Sequence, residues 1–240
     1  MEMRKQMLLL CSILILDFLL AIGCLGVVRK NENVEIMVST GDEAYGQRMV
    51  ALTFDDGPNK KYTEKLLDGL QERGVKATFF LMGECLEGNE ELVRRMSEEG
   101  HLIGVHCMQH TQLTKIAVKD AVSDLRETKD QLEEVLETGK NGQSKIEYVR
   151  PPFGSWNGKL DEAVRTELAM EPVFWDVDSL DWELQNTEKI VRKVIGQVED
   201  GDIILMHDEF ETSVEAAFRI IDNLMAKGYT FVTVNELMVD

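Results

Sequence analysis

Residues 49–58 read MVALTFDDGP, an apolar run that gives way to two adjacent carboxylates and a Gly-Pro turn. The apolar run, Met49 to Leu52, predicts a buried strand. Because side chains alternate along a strand, Asp55 and Asp56 can take separate roles, one holding a metal ion and the other facing its water. Taken alone, the stretch is more typical of a solvated surface turn, so the metal interpretation depends on the rest of the chain.

Two of the four histidines have a spacing that suits metal binding. His106 and His110 are four positions apart, which predicts that they share one face of a helical turn. With one carboxylate they make a three-ligand set for Zn²⁺ that keeps a position open for water. Two surface histidines are the alternative, because this spacing alone is weak evidence. His207 ends an apolar run, an unusual place for a solvated group, and His101 is interpreted as structural.

Strand-like runs alternate with helical patterns from residue 49 onward. Seven runs are predicted as strands: Met49–Phe54, Ala77–Met82, His101–His106, Ile146–Val149, Pro172–Trp175, Asp202–Met206 and Tyr229–Val234. Helical periodicity marks Val118–Leu136, Ile190–Val198 and Val214–Met225. The alternation predicts an α/β fold with a parallel sheet, and about seven units favour a distorted (β/α)7 barrel related to the TIM barrel. An open doubly wound sheet is the alternative.

Charged and aromatic segments follow several of the predicted strands. The segment RPPFG begins at Arg150, and DVDSLDW begins at Asp176. Barrel enzymes build their active sites at the C-terminal ends of the strands, so these segments should meet at one mouth. A capping or turn role could explain each segment singly, but it does not explain why they share one rim.

Five motifs, TFDDGP, HCMQH, RPPFG, DSLDW and ILMHD, occur in this order along the chain. Together they closely resemble the polysaccharide deacetylase family, also called the NodB-homology domain or carbohydrate esterase family 4. The resemblance covers roughly residues 48 to 238. It implies one divalent metal ion, with Zn²⁺ expected and Co²⁺ or Ni²⁺ as alternatives. Asp56, His106 and His110 are similar to the family's metal ligands, Asp55 to its catalytic base, and Arg150 to the arginine that holds the base.

The resemblance implies roles for five further residues. His207 is similar to the catalytic acid, and Asp181 to the residue that tunes it. The backbone N–H of Phe153 is expected to help stabilise the oxyanion. Trp182 and Leu205 are expected to line the small pocket for the acetyl methyl group.

Cys107 departs from the family pattern, which usually has Ser or Thr directly after the first metal histidine. A thiol is a weaker hydrogen-bond donor than a hydroxyl, so the histidine loop is expected to be less firmly held. Roles for Cys107 as a fourth ligand or a nucleophile are less favoured, because a neighbour of His106 should point elsewhere. A disulfide with Cys85 is conceivable outside the cell, and two free buried thiols are the alternative.

The first 47 residues predict a separate region. An apolar stretch from Met7 to Val28, between pairs of basic residues, is long enough to span a bilayer. Residues 1–30 are therefore predicted as an N-terminal membrane anchor or signal segment, residues 31–47 as a linker and residues 48–240 as the catalytic domain. An uncleaved anchor with the domain outside the cell is favoured. Secretion after cleavage, or a lipid anchor at Cys24, is the alternative.

The chain carries 44 acidic and 26 basic side chains, a net charge of −18, and it has no basic block. Nucleic-acid binding is therefore not expected, and no protein partner is predicted. The family resemblance implies hydrolysis of carbon–nitrogen, non-peptide bonds by a polysaccharide N-deacetylase. Peptidoglycan N-acetylglucosamine is the favoured substrate, with chitooligosaccharide, poly-N-acetylglucosamine and acetylated xylan as alternatives. A carbohydrate-binding relative without activity is the non-enzymatic alternative.

Overall fold

The computed structural model describes residues 48–238, apart from residues 138, 140–142 and 144. The predicted anchor and linker, residues 1–30 and 31–47, lie outside these residues. Within the described range, no helix combines the length and the apolar character needed to cross a membrane.

Among the described residues, eight strands form one parallel sheet: β1 Arg48–Asp55, β2 Thr78–Met82, β3 Leu102–Cys107, β4 Tyr148–Val149, β5 Glu171–Pro172, β6 Val177–Asp178, β7 Ile203–His207 and β8 Tyr229–Val232. Their order is β5-β4-β3-β2-β1-β7-β6, and β8 also pairs with β1. The long strand β1 serves two neighbours, because its first half pairs with β8 and its second half pairs with β7. The predicted distorted (β/α)7 barrel is confirmed.

Eight α-helices connect these strands: α1 Thr63–Arg73, α2 Glu90–Glu98, α3 Val118–Glu137, α4 Gly158–Leu168, α5 Asp181–Leu184, α6 Thr187–Ile195, α7 Glu211–Ala226 and α8 Val234–Leu237. This count covers the described part of the chain. The predicted helix from Val118 to Leu136 corresponds to α3. Asn186 caps α6 as its sequence position suggests, because its side chain accepts a hydrogen bond from the N–H of Lys189 at 3.0 Å.

Successive side chains of a strand point to opposite faces of the sheet, so one set packs in the main core and the other faces the interior of the barrel. Along β1, Leu52 and Phe54 pack in the main core with helix residues, whereas Ala51 belongs to a second cluster inside the barrel. Thr53 and Asp55 share the face of Ala51. The same alternation turns the residues at the ends of other strands inward, so polar side chains from separate strands meet at the C-terminal mouth.

The strand predicted at Pro172–Trp175 differs from the structure. β5 ends at Pro172, and the short strand β6 forms five residues later. The guanidinium of Arg150 donates to the carbonyl oxygens of Val173 at 3.4 Å and Phe174 at 3.0 Å. These carbonyls therefore bond to the arginine, and the chain leaves the sheet where the sequence predicts that it continues.

Candidate active site

A cavity of about 470 Å³ opens at the C-terminal ends of the strands. Eight of the ten residues that the sequence singled out line it; Arg150 and Asp181 do not line it and are fully buried. The complete lining is Asp55, Asp56, His106, His110, Pro151, Phe153, Trp175, Asp178, Trp182, Leu205 and His207. Residues from six strand ends therefore converge at one mouth.

Asp56, His106 and His110 come together in a cluster of metal-ligand type. The Nε2 atoms of His106 and His110 lie 3.3 and 3.7 Å from Oδ1 of Asp56. One ligand atom from each residue lies within 4.8 Å of the other two. Tetrahedral zinc with bonds of about 2.0–2.2 Å would separate neighbouring ligand atoms by roughly 3.3–3.6 Å. The cluster therefore has nearly the dimensions that a zinc ion requires.

The hydrogen bonds around the cluster also favour a cation. Nδ1 of His106 lies 2.8 Å from the carbonyl oxygen of Arg150, which can only accept, so Nδ1 carries the proton. Nε2 then presents a lone pair toward Asp56. Oδ1 of Asp56 is buried and has no hydrogen-bond partner among the described residues. Two acceptors that face each other in a buried site are stabilised by a cation between them, so the residues present fit a divalent metal.

The pKa values of the cluster are those of buried groups. Burial lowers the pKa of His106 to about 4, and it also lowers the pKa of His110. Both imidazoles are therefore neutral near pH 7, the form in which histidine binds metals. Burial raises the pKa of Asp56 to about 7, with the nearby Asp55 adding to the shift and His207 opposing it. A bound cation would favour the ionised carboxylate.

The predicted helical turn for His106 and His110 is wrong. His106 lies in β3, and His110 lies in the loop that follows it. Between them Cys107 has a φ of 110°, and residues 108–110 form bends and not a helix. The N–H of Met108 donates to Asp124 of α3 at 2.9 Å, which ties the loop to that helix. The histidines therefore meet through a strand end and a loop.

Cys107 lies on the opposite face of β3 from His106. Its side chain is buried in the main core, and burial raises the pKa of the thiol to about 12. Cys107 and Cys85 are both free thiols. The structure therefore places the sulfur of Cys107 away from the metal-ligand cluster, as expected for a neighbour of His106.

Asp55 is bound to a fully buried arginine. Nη1 of Arg150 donates to Oδ1 of Asp55 at 2.9 Å and to Oγ1 of Thr53 at 2.6 Å. The guanidinium carbon also lies 4.2 Å from the centre of the Phe80 ring. Burial lowers the pKa of Arg150, while Asp55 acts to raise it. The contacts fix one oxygen of Asp55 and leave Oδ2 as the atom that can act as a base.

His207 and Asp181 form a second pair beside Asp56. Nδ1 of His207 lies 2.7 Å from Oδ1 of Asp181, and the backbone N–H of His207 donates to Oδ2 at 2.8 Å. Nε2 of His207 therefore points toward Asp56, whose Oδ2 is 3.9 Å away. Burial acts to lower the pKa of His207, but the bond to Asp181 and the surrounding carboxylates outweigh it and raise that pKa to about 9. The imidazole of His207 is thus protonated near pH 7.

Aromatic side chains form the outer wall of the cavity. Phe153, with a φ of 60°, is 64% exposed and its ring packs edge-on against His110 at 4.5 Å between ring centres. Trp182 is 52% exposed, whereas Leu205 is almost fully buried. Exposed aromatic rings beside a polar pocket suit the flat faces of a sugar ring.

Sequence reasoning did not assign roles to Thr53, Trp175 and Asp178. Thr53 bonds to Arg150, while Trp175 and Asp178 line the cavity. The alternation of side chains along β1 was a usable signal for Thr53, because Thr53 lies two residues before Asp55 and therefore on the same face of the strand. Trp175 and Asp178 lie near the irregular segment between β5 and β6, where strand periodicity gives no guidance.

The chain is similar to several known proteins. A family model described as polysaccharide deacetylase matches residues 42–172. Peptidoglycan-N-acetylmuramic acid deacetylase PdaC of Bacillus subtilis is 39% identical over 191 residues, which are 80% of this chain and 39% of PdaC. Peptidoglycan-N-acetylglucosamine deacetylase PgdA of Listeria monocytogenes is 36% identical over 199 residues, which are 81% of this chain and 40% of PgdA.

A solved structure of Bacillus subtilis PdaC matches with a TM-score of 0.73 at 38% identity, covering 80% of this chain and 90% of that one. The chain spans about two fifths of the length of PdaC and PgdA. The family match covers more than half of the chain and includes the ends of β1, β3 and β4, from which six of the cavity residues come. The chain therefore belongs to the polysaccharide deacetylase family.

Proposed function

We propose that this protein is a metal-dependent hydrolase that removes N-acetyl groups from a cell-wall polysaccharide. The observation that carries the proposal is the arrangement around Asp56. Asp56, His106 and His110 form the metal-ligand cluster, with Asp55 and His207 beside it. This arrangement supplies a base, an acid and a cation site in one cavity, which are the groups that metal-assisted hydrolysis of an amide uses.

Asp56, His106 and His110 would hold a divalent ion, which would supply a Lewis acid for the acetyl carbonyl and lower the pKa of water. Oδ2 of Asp55 takes the proton of the attacking water, while Arg150 holds Oδ1 in place. The water oxygen bonds to the carbonyl carbon, and the carbon–nitrogen bond then breaks. Nε2 of His207 gives its proton to the leaving amine, because Asp181 fixes the imidazole with Nδ1–H toward the carboxylate. The products are acetate and a glucosamine residue.

Peptidoglycan N-acetylglucosamine is the proposed substrate, and the name of Listeria PgdA supports it. N-acetylmuramic acid is a second candidate, which the name of Bacillus PdaC favours. Zinc is the proposed metal, because its ligand spacing suits the cluster. We further propose that residues 1–30 anchor the protein in the membrane with its catalytic domain outside the cell, on the strength of the apolar stretch in the sequence.

Acetate release tests this function directly. The full chain is incubated with oligomers of N-acetylglucosamine, with muramic-acid-containing peptidoglycan fragments and with acetylated xylan, before and after treatment with a chelator. We expect release from the peptidoglycan fragments, loss of activity with chelator and recovery with Zn²⁺. Activity that survives complete metal removal contradicts the metal-dependent mechanism. Release from xylan alone would make the protein an esterase.

A further inference from the structure

Asp208 is fully buried at the end of β7, although the mechanism above gives it no part. Its Oδ2 accepts a hydrogen bond from the hydroxyl of Thr63, the first residue of α1. Its Oδ1 is also buried and has no hydrogen-bond partner among the described residues. A buried carboxylate with one unpartnered oxygen is costly to the fold, so its position calls for an explanation.

The carboxylate of Asp208 lies directly against Gly57. A Cβ atom on Gly57 would come within 2.6 Å of Oδ1 and 2.7 Å of Oδ2 of Asp208. No side chain larger than hydrogen fits there while the carboxylate is in place. Gly57 follows Asp56, whose φ of 75° is uncommon for a residue with a side chain. Such a conformation persists only where its surroundings hold it, and Asp208 is part of those surroundings.

Hydrogen bonds fix the same turn from two other sides. The carbonyl oxygen of Gly57 accepts the N–H of Met82 at 3.1 Å, which ties the turn to β2. The hydroxyl oxygen of Thr63 accepts the N–H of Asn59 at 2.7 Å, which ties the turn to α1. Because Thr63 donates to Asp208, the carboxylate connects the end of β7 with both the turn and the helix.

We propose that Asp208 is a positioning residue for the metal site. It packs against Gly57 and bonds to Thr63, so that Asp56 keeps the backbone conformation in which its Oδ1 faces His106 and His110. This inference rests on the proposed function, because the site that it positions is the proposed metal site. Asp208 touches neither the substrate nor the metal in this scheme and acts through Gly57 and Asp56.

Zinc affinity measured by competition with a chromogenic chelator tests the role without relying on turnover. In the full chain, Asp208→Ala should weaken Zn²⁺ binding by about 10–100-fold, as loss of a supporting group does in other metal sites. Asp208→Asn should stay within about threefold of the natural protein, because the amide fills the same space and its oxygen can accept the Thr63 hydroxyl. Leu70→Ala is the matched control: it opens the buried core at α1, so it should lower stability without changing the zinc affinity of the folded protein.

The pair of Gly57 and Asp208 provides a double-mutant cycle. Gly57→Ala alone should weaken zinc binding by about tenfold or more, because the new Cβ displaces the carboxylate or the turn. In the Asp208→Ala background, Gly57→Ala should weaken zinc binding by less than about threefold further, because the space that the carboxylate occupied is then free. When substrate is saturating and zinc is limiting, the turnover rate per total enzyme (the apparent kcat) should fall with zinc affinity across the series.

Equal effects of Gly57→Ala in both backgrounds would overturn the inference, as would natural zinc affinity and kcat in Asp208→Ala. If Asp208→Ala does not fold, Thr63→Val decides: it removes only the hydroxyl, and unchanged zinc affinity in that variant also overturns the inference. A natural protein that binds no zinc and releases no acetate overturns the proposed function and this inference together. A natural protein that does both, with variants equal to it, overturns the inference alone.

Discussion

At the scale of single residues, Asp55 and Asp56 are neighbours with different surroundings. Oδ1 of Asp55 accepts from the buried Arg150, whereas Oδ1 of Asp56 faces two imidazoles and has no hydrogen bond within the described part of the chain. A substitution at either position therefore removes a different function. This difference allows the proposed roles, base for Asp55 and metal ligand for Asp56, to be tested separately.

Asp55→Asn should lower kcat by about 10²–10⁴-fold, because an amide cannot take the proton of water. Zinc affinity should change little, since Asp56, His106 and His110 remain. The amide oxygen can still accept from Arg150, but the buried guanidinium loses its counter-charge, so thermal stability should also fall. Chelator competition, acetate release and a melting curve measure the three quantities. Asp56→Asn is the comparison, and it should lose zinc and activity together; parallel loss of zinc in Asp55→Asn would make Asp55 a ligand.

Cys107→Ser and Cys107→Ala should both keep kcat/KM close to that of the natural protein. The thiol is in the core, where it interacts with the backbone N–H groups of Thr111 and Gln109. A serine oxygen can also accept hydrogen bonds from these groups. A net hydrogen bond contributes only about 0.5–1.5 kcal/mol, so the change in zinc affinity should be small. Turnover and zinc affinity are measured for both variants. A drop of several orders of magnitude in both would place sulfur in the mechanism.

At the scale of elements, a glutamine completes the edge of β3. Oε1 of Gln143 accepts the N–H of Ile103, and its Nε2 donates to the carbonyl of Ile103, both at 2.8 Å. β4 does not pair with β3 at Ile103, because the residues that pair between the two strands are Val149 and Val105. The side-chain amide therefore takes the place of a neighbouring strand.

Gln143→Ala should lower the free energy of unfolding by about 1–3 kcal/mol, because it leaves both backbone groups of Ile103 without their partner. Neither Gln143 nor Ile103 lines the cavity, so kcat and zinc affinity of the folded protein should not change. Urea unfolding measures the loss. Gln71→Ala, at an exposed position of α1, is the matched control and should stay within about 0.5 kcal/mol. Equal stability of the two variants would show that solvent replaces the Gln143 contacts.

The elements that sequence periodicity predicts well are the long ones. β1, β2, β3 and α3 lie close to their predicted ranges, because each carries several periods of its pattern. β6, with only two residues, carries too little pattern to be recognised. The turn between His106 and His110 was missed because Cys107 adopts a positive φ, which composition does not reveal. Gln143 was missed because its partner lies 40 residues away.

At the scale of the whole molecule, alternation of strands and helices predicted the parallel sheet and the shared mouth. It could not predict which side chains support one another there. The contact of Arg150 with Phe80 and the contact of Asp208 with Gly57 each join residues from different strands or turns. Such pairs depend on register and crossing of the strands, and no local pattern encodes them. The roles of the site residues came from the ordered motifs, not from periodicity.

His101, outside the cavity, makes folding sensitive to acid. Its Nδ1 accepts the N–H of Ala77 at 3.1 Å, so a proton on Nδ1 would break a buried hydrogen bond. Burial, followed by the charges of Lys76 and Arg95, lowers its pKa to about 4. Glu99 lies 3.7 Å from Nε2 of His101, and its other oxygen accepts from Nε of Arg95 at 2.6 Å.

The direction of the pH effect follows from this lowered pKa. In the unfolded chain the histidine pKa is about 6.5, so below that pH the unfolded state takes up a proton that the folded state refuses. Stability should therefore fall between about pH 6.5 and pH 4, by up to about 3 kcal/mol from this group, and level off below. His101→Asn, which can still accept the N–H of Ala77, should be less stable than the natural protein at pH 7.5 because it loses ring packing. At pH 4.5 the gap between their urea midpoints should narrow or close, because Asn does not titrate. If the gap between the two urea midpoints is the same at pH 7.5 and pH 4.5, His101 does not set the acid sensitivity of the fold.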